Sequence, residues 1–155
     1  MRKWMGWIIG LSFLSIVLLG GYLFAQDEEM TIAHEEVFKK LERAPVVFTH
    51  QKHVDILGGD ESCAECHHVY SEEEGKAVYE EGEETGCTDC HGFKDEKMPN
   101  GTTKPSLMNA YHTNCVGCHR KLAREKKNTG PATCGECHNR ANWKLIEKTE
   151  EAKEH

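Results

Sequence analysis

Residues 63–68 read Cys63-Ala64-Glu65-Cys66-His67-His68, and their first five positions recur as Cys87-Thr88-Asp89-Cys90-His91, Cys115-Val116-Gly117-Cys118-His119 and Cys134-Gly135-Glu136-Cys137-His138. All 8 cysteines of the 155-residue chain fall in these four pairs, and a histidine follows each pair at once. With 10 histidines in the chain, four such coincidences arise by composition about once in 50,000 sequences. The residues around the motifs make the pattern decisive. From Gln26 onward Leu, Ile, Val and Phe number 18 of 130 residues, and 17 basic residues face 26 acidic ones, a balance of −9. A polypeptide of that composition buries too little apolar area to offset chain entropy. Covalent staples or something other than side chains must therefore serve as its core. The acidic balance also argues against a nucleic-acid binder, which needs a basic face to displace condensed counterions.

Cys-x-x-Cys-His is the attachment signature of c-type haem. Two thiols three positions apart reach the two vinyl groups on one porphyrin edge and form thioethers, and the next residue places an imidazole beneath the iron. Two rivals exist. Paired Cys-x-x-Cys units make four-cysteine zinc sites, but zinc does not require a histidine after every pair. Disulfides suit an extracytoplasmic compartment, but Cys-x-x-Cys rings close loops too small to hold a chain together. Four covalently bound haem c groups also answer the compositional problem, because large flat apolar porphyrins replace the missing aliphatic core. Folding is then expected to depend on the cofactor, as small metal domains depend on their ion.

The sequence before the motifs divides in two. Residues 4–25 carry no charge, follow Arg2 and Lys3, and precede Asp27, Glu28 and Glu29. A spanning helix needs about 20 such residues and the apolar part of a cleaved signal about 7–15, so residues 1–25 read as a transmembrane anchor or a signal peptide. Both readings leave the positive end in the cytoplasm and everything after Gln26 on the periplasmic side of the inner membrane. Residues 26–43, with Ile32, Val37, Phe38 and Leu41 among Glu and Lys, read as a helical stalk stopped by Ala44-Pro45. Pro45 to Phe48 reads as a short strand. Residues 71–84 hold seven Glu and one Lys and read as a solvated acidic loop or frayed helix. Met98 to Gly101 marks a turn and Ser106 caps a helix. Residues 120–127 are basic, and residues 140–155 form a charged amphipathic tail.

With His67, His91, His119 and His138 as proximal ligands, six histidines remain, and Met30, Met98 and Met108 compete with them, since Met/His ligation also occurs. Phe48-Thr49-His50-Gln51-Lys52-His53 upstream of Cys63-x-x-Cys66-His67-His68 resembles the class III cytochromes c, the tetrahaem cytochrome c3 family, over roughly residues 44–139. That resemblance implies short helices and loops wrapped around four haems. It also implies distal ligands: His50 for the first haem, His53 for the third, His68 for the second and His112 for the fourth. His112 lies closer to its following motif than in well-known members. His34 and His155 are left as surface residues, and the methionines as gap-fillers. Adjacent His67 and His68 make the first and second haems neighbours. His50 and His53, one helical turn apart, join the first and third, and His112 beside Cys115 couples the third and fourth.

Irons with two imidazoles keep no open position, so the expected function is electron transfer at low potential, not catalysis. The resemblance implies redox partners of the hydrogenase or formate dehydrogenase type and a membrane oxidoreductase complex. A haem subunit of a membrane-bound quinol-oxidising complex is the first alternative. A multihaem reductase with one open iron, should His112 fail as a ligand, is the second.

Overall fold

The computed structural model describes residues 29–127 and 129–146. The expected membrane or signal segment, residues 1–25, and His155 lie outside them. Among the described residues no helix is long and apolar enough to cross a membrane.

The described chain is a succession of very short elements. Strand β1 (Met30–Ile32) pairs antiparallel with β2 (Val46–Phe48), Met30 opposite Phe48 and Ile32 opposite Val46. Between them lies a single helical turn, α1 (Glu35–Phe38). This corrects the helical stalk expected over residues 26–43. His34 (φ 53°) and Lys39 (φ 60°) take left-handed backbone at both ends of α1, which stops propagation. Met30, Thr31 and Ile32 gain a strand partner that helical spacing alone does not reveal. His50–Leu57 forms helix α2 directly after β2, closed by Gly58 at φ 114°, whose N–H bonds the Val54 carbonyl.

The acidic stretch is also more ordered than its composition suggests. Val69–Ser71 (β3) and Lys76–Val78 (β4) form a hairpin, with Glu72, Glu73 and Glu74 exposed in its turn. A second hairpin, β5 (Glu96–Lys97) and β6 (Thr103–Lys104), turns at Gly101, whose φ of 83° favours glycine. The side-chain amide of Asn100 donates to the Tyr70 hydroxyl and the Gly75 carbonyl, both at 2.8 Å, and ties the two hairpins together.

Ser106 caps helix α3 (Leu107–Tyr111) by accepting from the Asn109 N–H. The chain continues without a break through a π turn (His112–Val116) into α4 (Gly117–Arg124). A last turn, α5 (Cys134–Cys137), begins at Thr133, which shares a capping box with Glu136, and residues 143–146 of the expected amphipathic tail are helical.

Side chains do not make the core. Among the described residues the buried hydrophobics are Ala44 and Leu107, with Pro45 also fully enclosed. Ile56 and Phe93 remain 70% and 62% exposed.

Candidate functional site

Each motif is built on one tight turn. The N–H groups of His67, His91 and His138 bond the carbonyls of Cys63, Cys87 and Cys134 at 2.8, 2.9 and 2.8 Å. The third motif lies on the π turn and α4. Residues four apart on such a turn share a face, so the first thiol and the imidazole of each motif project together.

The rings meet in four pairs. Ring centres of His50 and His67 are 6.2 Å apart, those of His53 and His119 6.1 Å, those of His68 and His91 5.9 Å, and those of His112 and His138 6.4 Å. Each pair joins a motif histidine to the histidine that the family resemblance implies for it, His112 included. A metal–imidazole bond of about 2 Å on either side, with about 1 Å from ring nitrogen to ring centre, separates two ring centres by about 6 Å. The residues present therefore fit one iron between each pair.

Backbone carbonyls hold several of these rings. The Nδ1–H groups of His53, His91, His119 and His138 donate to the carbonyls of Thr49, Pro105, Pro131 and Ala44 at 2.8, 2.7, 2.6 and 2.7 Å. Fixing the proton on Nδ1 leaves Nε2 as the basic nitrogen, the usual arrangement behind a metal-bound imidazole. His91 is buried, at 7% exposure. Beside His119 an added Cβ on Gly130 would lie 2.6 Å from the ring, so only glycine fits there. These supporting carbonyls and Gly130 carry no sequence signal, because they sit 4 to 94 residues from the rings they touch.

None of the eight cysteines is paired in a disulfide. A four-cysteine zinc site needs converging thiolates. Among the described residues no three His, Cys, Asp or Glu side chains converge in that way. The thiols are nonetheless near one another. Burial pushes the Cys115 thiol up to about 11, with Cys66, Cys87 and Cys137 adding to the effect. Burial also raises Cys66, which feels Cys118 and Cys87 and accepts a hydrogen bond from the Asn114 side chain. A cleft of about 570 Å³ beside Cys134 and His138 is rimmed by Glu42, Arg43, Arg140 and Trp143.

His34, expected to be a surface residue, is a link instead. Its Nε2 bonds the Tyr111 hydroxyl at 2.8 Å and its Nδ1 the Glu36 carboxylate at 2.9 Å. Burial, then the nearby Cys87, pushes the Tyr111 hydroxyl up. Met30 and Met108 are 48% and 51% exposed.

Comparison with known proteins gives concordant matches. The family model described as Class III cytochrome C family matches residues 26–138. Cytochrome c3 of Maridesulfovibrio salexigens is 36% identical over 103 residues, covering 64% of this chain and 82% of that protein. The high-molecular-weight cytochrome c of Nitratidesulfovibrio vulgaris is 40% identical over 77 residues, which span 50% of this chain but only 13% of that protein. Among solved structures, the sixteen heme cytochrome from Desulfovibrio gigas aligns with a TM-score of 0.49 at 22% identity, over 76% of this chain and 42% of that one.

Proposed function

The chain belongs to the class III cytochrome c family, a multihaem electron-transfer cytochrome, and on that premise we propose that it is a low-potential tetrahaem carrier. The observation that carries this reading is the set of four imidazole pairs with centres 5.9 to 6.4 Å apart, each containing one Cys-x-x-Cys-His histidine. When bound, the haems supply reversible one-electron exchange between ferric and ferrous iron. The chain's part is to hold them. Cys63 and Cys66, Cys87 and Cys90, Cys115 and Cys118, and Cys134 and Cys137 form the thioethers. His67, His91, His119 and His138, with His50, His68, His53 and His112 as their respective ring partners in the order His67–His50, His91–His68, His119–His53 and His138–His112, would hold the irons. Two imidazoles per iron leave no position for a substrate and favour low potential.

In this reading residues 26–155 lie on the periplasmic side of the inner membrane, anchored by or cleaved from residues 1–25. Electrons pass between a hydrogenase or formate dehydrogenase and a membrane redox complex. Arg120, Lys121 and Arg124 on α4, followed by Lys126 and Lys127, are all exposed. They give an acidic partner a docking face beside the third motif. A second reading, the haem subunit of a membrane-bound quinol-oxidising complex, is favoured by the uncharged run of residues 4–25, which leaves only a few residues before β1.

Intact mass of the purified protein tests the core of the proposal. Four haem increments on one chain support it, and fewer than four refute it. The same spectrum shows whether residues 1–25 remain. Reduction by a hydrogenase at a rate that falls steeply with ionic strength supports the carrier role. Extraction only with membranes and a quinol-reactive partner supports the second reading.

A further inference from the structure

His112 and His119 stand seven residues apart on one continuous helical rod, yet their rings join different partners. In an uninterrupted α-helix, seven residues make two turns less about 20°, so the two imidazoles would point the same way. The rod is interrupted. Over His112–Val116 it is a π turn, closed by the bond from the Gly117 N–H to the His112 carbonyl. A π turn takes nearly one residue more per turn, so each of its steps advances roughly 80° where an α step advances about 100°. Over five steps the lag amounts to about a quarter turn. His112 accordingly meets His138 at 6.4 Å, while His119 meets His53 at 6.1 Å.

We infer that the π turn is the element that points His112 at the fourth iron: by taking up one of the seven residue steps between His112 and His119, it turns the His112 ring away from the side that His119 faces. The inference rests on the bis-histidine reading above and goes one step further. It also explains how a distal ligand so close to the next motif still reaches a different site. The rod that carries Cys115, Cys118 and His119 carries the distal ligand of the neighbouring centre too, so the third and fourth centres are fixed to one another through a single helix.

A π turn is a one-residue insertion that leaves the helix on either side in phase. Deleting Thr113 therefore removes the π turn without turning His112 away from His138. Inserting an alanine after Thr113 does the reverse. With its one π turn already taken up, the helix must then rotate His112 by about 100°. The test is carbon monoxide uptake by the reduced holoprotein, read as an absorbance difference per molecule with covalent haem content checked to be equal. Wild type and the Thr113 deletion are expected to bind almost none, and the alanine insertion about one per molecule. His112→Gly in the parent chain is the control, expected to bind one. If His112→Gly binds none, the ligand reading itself fails. If His112→Gly binds one and the Thr113 deletion binds one as well, or the insertion binds none, the π-turn inference is overturned while the ligand reading stands. Should the deletion variant not accumulate, the insertion variant decides alone.

Discussion

Gly130→Ala is the sharpest probe of how the third centre is held. The added Cβ would lie 2.6 Å from Cε1, 2.9 Å from Nε2 and 3.2 Å from Nδ1 of His119. Carbon atoms rest at about 3.5–4.0 Å, so ring and loop must part by about 1 Å. Neither moves freely. The ring's Nδ1–H donates to Pro131 at 2.6 Å, the Thr129 hydroxyl holds the His119 carbonyl at 3.1 Å, and His53 faces the ring with its centre 6.1 Å away. Relief therefore breaks the Nδ1 bond or displaces the ring from His53. Overpacking of this kind costs about 1–3 kcal/mol, which in a chain of this length lowers Tm by roughly 2–4 °C per kcal/mol. The assay is thermal melting of the holoprotein followed in the Soret band, with carbon monoxide uptake recorded in parallel. We expect a lower Tm and partial uptake confined to one site. Gly86→Ala is the control, because its Cβ meets only ordinary contacts of 3.6 and 3.7 Å. A Gly130→Ala protein with wild-type Tm and no carbon monoxide uptake would refute the proposed clamp.

Three further outcomes are expected. His34→Asn keeps a residue that tolerates left-handed backbone but loses the bond to Tyr111, so stability should fall by about 1 kcal/mol and amide exchange in β1 and β2 should quicken; unchanged exchange would mean the link is idle. The Ser106 N–H, then the Asn109 amide, hold the Asp95 carboxyl below the usual carboxylate range. Its folded value is thus depressed, and its stabilising share is present above about pH 4 and lost as pH falls through the folded value. Asp95→Asn should accordingly melt with a weaker acid dependence, and a superimposable pH profile would contradict that account. Finally, chain produced without haem should stay unfolded by circular dichroism, since Ala44, Pro45 and Leu107 alone do not make a core.

The sites were more legible in sequence than the fold. Cysteine spacing and the doubled His67-His68 carry their own geometry, because thioether reach and imidazole placement are local matters. Pairing the distal histidines, His112 with His138 included, depended on family resemblance, and no sequence pattern announces the π turn over His112–Val116. Residues 30–38 mislead because Ile32, Val37 and Phe38 fit a helical spacing, whereas the strand partner of Met30 to Ile32 begins fourteen residues beyond Ile32, at Val46. Long-range pairing overrides local periodicity there. The Glu-rich hairpin is hidden for a related reason: strands of three residues are too short to show alternation. His34 looked idle because its partner lies 77 residues away.

The fourth motif also closes the molecule on itself. His138 bonds the Ala44 carbonyl and the Asn142 amide bonds the Pro45 carbonyl, across 94 and 97 residues. A ribosome makes Ala44 early and His138 late, so these two bonds close only after nearly the whole described chain has left it, and the first strand pair waits on the last motif for its anchorage.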